Sequence, residues 1–133
     1  MLIGTSASAQ FLPLYVKSKI PNHTGAQSIE SEATTNGVLR ISAVSEPSYR
    51  FFSAGLEGGN KPCIIVCPGG GYSILALAKE GTGIAEFFNK LGVHVMVLKY
   101  RIPSASHQVD KKFAPLQDAQ QAIYLARKAI DRA

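Results

Sequence analysis

A chain of 133 residues with 46% hydrophobic and 17% charged side chains and a mean hydropathy of +0.08 has the profile of one soluble globular domain, or part of one. That balance excludes an intrinsically disordered chain, which is poorer in apolar groups and richer in charge. There is no run of about 18 apolar residues to cross a membrane, and two cysteines are too few for a disulfide scaffold. Fourteen basic against nine acidic side chains leave +5, and residues 99–133 alone hold seven of the basic groups and three of the acidic ones. A basic end can meet nucleic acid. Here no aromatic residues alternate with the basic ones and no nucleic-acid fold motif is present, so the excess reads as a solvated helix face, with no nucleic-acid or membrane partner.

Residues 1–10 begin with an apolar stub, Leu2-Ile3-Gly4, followed by Ala7-Ser8-Ala9. The latter fits the small-x-small rule of signal-peptide cleavage, but the charged start is absent and the apolar stretch is short. Two readings stand. Met1 is an internal start and a signal peptide begins upstream, giving a secreted or periplasmic protein, or the terminus is ordinary and the protein cytoplasmic. Residues 11–35 hold Pro13, Pro21 and Gly25 among polar residues without a sustained period and read as an extended arm. Residues 36–133 read as the structured domain. Val38-Leu39-Arg40-Ile41 and Tyr49-Arg50-Phe51-Phe52 are short strands around the turn Ser45-Glu46-Pro47-Ser48, and Gly58-Gly59-Asn60 is a second turn.

Cys63-Ile64-Ile65-Val66-Cys67 is continuously apolar and rich in β-branched residues, as a strand buried on both faces of a parallel sheet must be. Val93 to Leu98 reads the same way, with His94 the exception. Between them Ile84, Phe87, Phe88 and Leu91 recur at i, i+3, i+4 and i+7, one face of a helix that Gly92 is placed to end. A second helix starts near Pro115, a residue suited to a first helical position, with Leu116, Ala119, Ile123, Ala126 and Ile130 as its apolar stripe. The order β-α-β-α over residues 61–132 predicts an α/β fold in which crossover helices cover a parallel sheet.

Pro68-Gly69-Gly70-Gly71-Tyr72 follows the first buried strand directly. Three glycines leave backbone N–H groups unshielded, and fixed N–H donors converging on one developing negative charge make an oxyanion hole. A flexible turn is the competing reading. Placement at the C-terminal end of a buried strand, where α/β sheets bind ligands, brings the two level. Gly81-Thr82-Gly83 imitates the start of a dinucleotide fingerprint but lacks the third small residue and an immediately preceding strand. Cys63 and Cys67 share a strand face yet stand about 13 Å apart along it, beyond the ~7 Å that a disulfide tolerates between Cα atoms; buried free thiols are expected. His94 reads as a core or pocket-wall histidine and His107 as a loop residue after Pro103, without metal-ligand spacing.

Three segments resemble a family: Cys67-Pro68-Gly69-Gly70-Gly71-Tyr72, Leu98-Lys99-Tyr100-Arg101-Ile102-Pro103 and Pro115-Leu116-Gln117-Asp118-Ala119-Gln120-Gln121-Ala122-Ile123. Together with Leu12-Pro13-Leu14-Tyr15 and Ile20-Pro21-Asn22 they are similar to the α/β-hydrolases, in the branch of acetyl xylan esterase-like and feruloyl esterase-like carbohydrate esterases. The resemblance implies the N-terminal half of an α/β-hydrolase fold, with two short strands before β-α-β-α. It implies that Gly70 and Gly71 supply the oxyanion donors and that Tyr72 lines the substrate pocket. Pro68 stands where many relatives have histidine. Tyr100 and Arg101 would be structural supports, and Asp118 an early-helix acid favoured by the helix dipole.

The family's nucleophile sits on Gly-x-Ser-x-Gly, and its acid and histidine follow later in the chain. None of the twelve serines sits in that motif. Gly71-Tyr72-Ser73-Ile74-Leu75 keeps only the first glycine and Phe51-Phe52-Ser53-Ala54-Gly55 only the last. By resemblance the elbow would follow the second helix, so the central nucleophile strand, the base and the acid are expected to be absent from this chain. The strand at 63–67 would then lie at an open edge, an aggregation hazard. The expected activity is that of a serine esterase on acetyl or aryl esters of carbohydrate, needing no cofactor or metal, with these 133 residues inactive alone. Its partners would be an ester or acylated saccharide and either the missing half or a second copy. A non-catalytic interaction module is the alternative, with a nucleotide-binding α/β domain behind it.

Overall fold

The computed structural model describes residues 11–55 and 60–132. The expected leader remnant at 1–10 and the glycines of the Gly58-Gly59 turn lie outside them. In chain order the strands are β1 (Leu12–Pro13), β2 (Ser31–Thr35), β3 (Val38–Ser42), β4 (Ser48–Phe52), β5 (Cys63–Val66), β6 (Ile74–Leu75) and β7 (His94–Lys99). The α-helices are α1 (Gly83–Lys90), entered through one π-helical turn at Ala78–Thr82, and α2 (Ala114–Arg132).

The main sheet has the order β1-β4-β7-β5. Strand β7 pairs antiparallel with β4 and parallel with β5, in the register Cys63↔His94 to Val66↔Val97. The connection from β5 to β7 runs through α1, the predicted crossover. Strand β7 is buried along its whole length. Its side chains alternate as a pleated strand requires: Val95 and Val97 join the core with Ala85 and Phe88 of α1, while Met96 and Leu98 join that of Ala122 and Ala126 of α2. Both faces of the sheet are thus covered, which explains the unbroken apolar run in the sequence. His94 lies in this core, its Nδ1 accepting the Ala54 N–H at 2.9 Å. Strand β5 ends the sheet. Among the described residues no strand pairs with its other side.

Two expectations need correction. The arm at 11–35 is not wholly extended, since Lys17–Lys19 form a 3-10 turn, and its end is no loose arm, since β2 pairs with β3 from Ser31↔Ser42 to Thr35↔Val38. Asn36 and Gly37 join them at φ +52° and +75°, the two positive dihedrals that a type I′ hairpin turn demands and that Asn-Gly supplies. The predicted helix stripes are also displaced. Phe87 and Leu91 of α1 are 61% and 64% exposed, and Ala85 takes their place in the core. On α2 the buried positions are Ala114, Asp118, Ala122 and Ala126, while Leu116 and Ile123 face outward. Small residues at i, i+4 spacing let this helix lie close on the sheet. Ile123→Ser is therefore expected to change stability by less than about 0.5 kcal/mol. Ala122→Leu should cost ~1–3 kcal/mol by overpacking, a contrast that urea melts would read directly.

The inward face of α2 carries Asp118. It is fully buried and pairs with the equally buried Arg101. Arg101 Nη2 donates to Oδ1 at 2.9 Å, its Nε approaches both carboxylate oxygens at 3.1 Å, and its own backbone N–H donates to Oδ2 at 2.8 Å. Burial pushes the Asp118 carboxyl upward, and Arg101 opposes the shift. Asp118 is thus a core residue and not an exposed dipole partner; Arg101 is the structural support that was expected. Arg101 also donates to the Pro21 carbonyl at 2.6 Å, and buried Lys99 pairs with Glu30. Two of the seven basic groups near the C-terminal end therefore point inward and belong to no solvated face.

Those bonds fasten a strap, residues 20–30, across the loop at 101–110. Thr24 N–H donates to His107 O at 3.0 Å and its hydroxyl to Ser106 O at 2.7 Å. His107, buried in the expected loop, donates from Nε2 to Gln27 O at 2.9 Å. Tyr15 hydroxyl donates to Gln117 O at 3.0 Å, tying the chain before the strap to α2.

Candidate functional site

The three glycines leave β5 in a tight turn. Gly69 C=O accepts from Ala76 N–H at 2.9 Å, and Gly70 C=O accepts from Ser73 N–H at 3.1 Å and Ile74 N–H at 3.3 Å. The turn runs straight into β6, which pairs with β3 through Ile41↔Leu75 and Ser42↔Ile74, so the loop is anchored on both sides. Gly70 is indispensable to the shape: a Cβ built there would stand 1.8 Å from the Ile74 carbonyl oxygen. Gly71 and Tyr72 both have φ +61°. For tyrosine that left-handed conformation costs of order 1–3 kcal/mol, which the surrounding contacts must hold.

With the carbonyls of Gly69 and Gly70 turned into the loop, the N–H groups of Gly70, Gly71 and Tyr72 have no protein acceptor among the described residues. Successive free amides on a fixed loop are donors available to an anion. Gly70 and Gly71 thus have free N–H donors, Gly69 N–H being taken by Glu80, and the loop is not a loose turn.

Beside the loop lies an open cleft of about 610 Å³. Cys67, Tyr72, Leu98, Tyr100, Lys111 and Leu116 are among the residues lining it, so the residue after β5, the glycine loop, β7 and the start of α2 all contribute. Tyr72 lines this cleft, whereas Gly70 and Gly71 do not. Its ring is 63% exposed and meets Tyr100 edge-on at 6.5 Å. Neither cysteine is buried as predicted: Cys63 is half-buried and Cys67 exposed. Cys67 nevertheless sits against the apolar wall of the cleft, and that desolvation pushes its thiol upward, away from the reactive thiolate.

Burial raises the Tyr100 phenol, with Cys67, Tyr72 and Glu80 adding to the shift, and burial raises that of Tyr15. A group raised in the fold contributes stability that is complete below its unfolded value, near 10, and is lost as pH rises through the folded one. Stability is accordingly expected to fall above about pH 10, with the phenolate absorbance of these two tyrosines lagging that of free tyrosine in a spectrophotometric titration. Tyr15→Phe and Tyr100→Phe should each remove one lagging group.

Gly81 and Gly83 hold no phosphate cradle. A Cβ at Gly81 would meet Val97 Cγ1 at 3.0 Å and Pro68 Cγ at 3.1 Å, so this glycine is there for close packing. No group of three or more His, Cys, Asp or Glu side chains suited to a metal occurs among the described residues. No helix among them is long and apolar enough to cross a membrane.

No protein-family model matches the chain. A curated relative does: an acetylxylan esterase of Xylanibacter ruminicola is 33% identical over 71 residues, 53% of this chain and 14% of the esterase. The crystal structure of an acetyl ester-xyloside bifunctional hydrolase from Caldicellulosiruptor lactoaceticus superposes with a TM-score of 0.67 at 28% identity, over 92% of this chain and 37% of that one. The chain is related to the carbohydrate esterases of the α/β-hydrolase fold. It spans well under half the length of either relative. The β-α-β-α order over residues 61–132 is the one expected, but the sheet is mixed and not parallel, since β7 pairs parallel with β5 and antiparallel with β4.

Proposed function

We propose that these residues form the oxyanion-binding, N-terminal half of a serine carboxylic-ester hydrolase acting on acetyl or aryl esters of carbohydrate. The three free amides of Gly70, Gly71 and Tyr72 carry this reading. Attack on an ester carbonyl places a negative charge on oxygen, and donors already fixed in position stabilise that charge without reorganising. The relatives' names point to acetyl esters on xylan, and the open, aromatic-walled cleft has room for a saccharide. The nucleophile would come from outside these 133 residues, since no serine here sits on the required elbow. In the complete enzyme that serine would attack the carbonyl while a histidine removes its proton.

The test begins with the coding frame beyond Ala133. It should run into a further strand, a Gly-x-Ser-x-Gly segment and a later histidine. The product of that frame should release acetate from acetylated xylan, in a reaction stopped by serine-directed phosphonylating reagents. These 133 residues alone should show no such turnover. Reagent-sensitive hydrolysis by the 133 residues would overturn the assignment of the nucleophile.

A second reading is favoured by the unpaired side of β5 and the outward Leu116 and Ile123: an interaction module whose partner completes the sheet. A stop directly after Ala133, with a stoichiometric complex in the cell, would select it. Exposed strand edges also pair with themselves, so the 133-residue chain alone should show concentration-dependent association in sedimentation. A monodisperse, cooperatively melting monomer would count against an open edge at β5.

A further inference from the structure

The peptide group between Pro68 and Gly69 is gripped at both ends. Its C=O accepts from the Tyr100 hydroxyl at 2.6 Å, and its N–H donates to Glu80 Oε2 at 2.8 Å. Tyr100 follows the end of β7, whereas Glu80 lies on the π-helical turn before α1. The two grips come from different elements packed on the same sheet. A peptide group is planar, with its C=O and N–H pointing opposite ways, so this one cannot turn without breaking both bonds. The Glu80 bond is charge-assisted and hence among the stronger kind.

The neighbouring glycines show how closely this grip is built. A Cβ on Gly69 would lie 2.6 Å from Glu80 Oε2, and one on Gly81 would press on Pro68 and Val97. Gly81 must be bare for the turn to seat against Pro68, and Gly69 must be bare for the Glu80 carboxylate to reach its N–H. The plane of residues 68–69 is also where the donor loop begins. Every amide direction from Gly70 to Tyr72 follows from that plane and the dihedrals after it. Because Glu80 takes the Gly69 N–H, that amide is withdrawn from any ligand and the donor set starts at Gly70.

We propose that Glu80 and Tyr100 are positioning residues: by locking the Pro68–Gly69 peptide plane they hold the amides of Gly70, Gly71 and Tyr72 aimed at one anion. This deepens the oxyanion reading above and rests on it for the identity of the anion. The lock itself can be tested without it.

The experiment uses the full chain labelled with ¹⁵N, wild type and the variants Glu80→Ala, Glu80→Gln and Tyr100→Phe. Amide hydrogen exchange at Ser73, Ile74 and Ala76, whose N–H groups donate to the Gly70 and Gly69 carbonyls, is one readout, and titration with methylphosphonate, a tetrahedral anion, read at the free amides of Gly70, Gly71 and Tyr72, is the other. Glu80→Ala and Tyr100→Phe should speed exchange at the three bonded amides and weaken methylphosphonate binding, each by about tenfold, as for loss of one hydrogen bond. Glu80→Gln keeps a side-chain carbonyl acceptor and should restore most of both. Should Glu80→Ala fail to fold, Tyr100→Phe carries the same two readouts. Exchange unchanged in Glu80→Ala and Tyr100→Phe overturns the lock, whatever the anion does. Faster exchange in the variants, with no methylphosphonate shift at the Gly70, Gly71 and Tyr72 amides in wild type, supports the lock and instead overturns the oxyanion reading.

Discussion

Asp118→Ala is expected to lower the unfolding free energy by about 3–5 kcal/mol, the usual loss when one partner of a buried ion pair is removed. Arg101 would keep its charge in a site with no solvent access, losing the side-chain acceptor of its Nε and the partner of its backbone N–H. Against a typical domain stability of ~5–15 kcal/mol, such a loss leaves little margin. Equilibrium denaturation followed by circular dichroism measures it. Asp118→Asn should lose nearly as much, because the amide keeps the shape and not the charge. The double replacement Arg101→Met with Asp118→Leu tests the cause. It removes the stranded charge and should recover part of the loss, though not all, since the Pro21 and Ala114 carbonyls also lose their Arg101 donor. A double replacement as unstable as Asp118→Ala would show that the stranded charge is not what matters.

Gly70→Ala is expected to be the most damaging change in the loop. The new methyl would overlap the Ile74 carbonyl oxygen, and that carbonyl belongs to β6, which is held in register with β3. Neither side can yield cheaply, so either β6 detaches or the glycine turn reopens, at ~3 kcal/mol on the scale of overpacked interiors. In the complete enzyme the same change should cut kcat by about 10²–10³-fold, the scale for a lost oxyanion donor, with KM much less affected. Gly71→Ala is the informative contrast. A Cβ there meets nothing within 4 Å, so only the strain of φ +61° opposes it, at about 1 kcal/mol. Equal losses at the two positions would refute the steric argument.

Strand β7 was legible because burial on two faces leaves a signature of its own, a run of β-branched or apolar residues without alternation, while β5 carries the same kind of run and is only half-buried. Gly92 was legible as the end of α1 for a similar reason, and it does take φ +78°. The glycine loop could be placed at a strand end from its position alone. The β2–β3 hairpin was missed although Asn36-Gly37 announces it, because strand β2, Ser-Glu-Ala-Thr-Thr, is exposed throughout and carries no apolar pattern. The face of α2 was misjudged for the opposite reason. Periodicity treats a carboxylate as outward-facing, and only the partner seventeen residues earlier reveals that Asp118 faces in. The grip of Glu80 on Gly69 leaves no pattern in a sequence, being a contact between a turn and a loop eleven residues apart.

The strap at 20–30 has a consequence for biosynthesis. Its attachments to Arg101, Ser106 and Asp110 bridge 80, 82 and 88 residues of sequence. A nascent chain has made its own N-terminal segment long before it has made the groups that fasten it. Until residue 110 clears the ribosome, residues 20–30 trail loose, their carbonyls and hydroxyls met only by water. Contacts of such long separation slow folding, and translation adds several seconds of its own at ~5–20 residues per second. During that interval the segment is open to chaperones and proteases, and it closes only when the far end of the chain arrives to claim it.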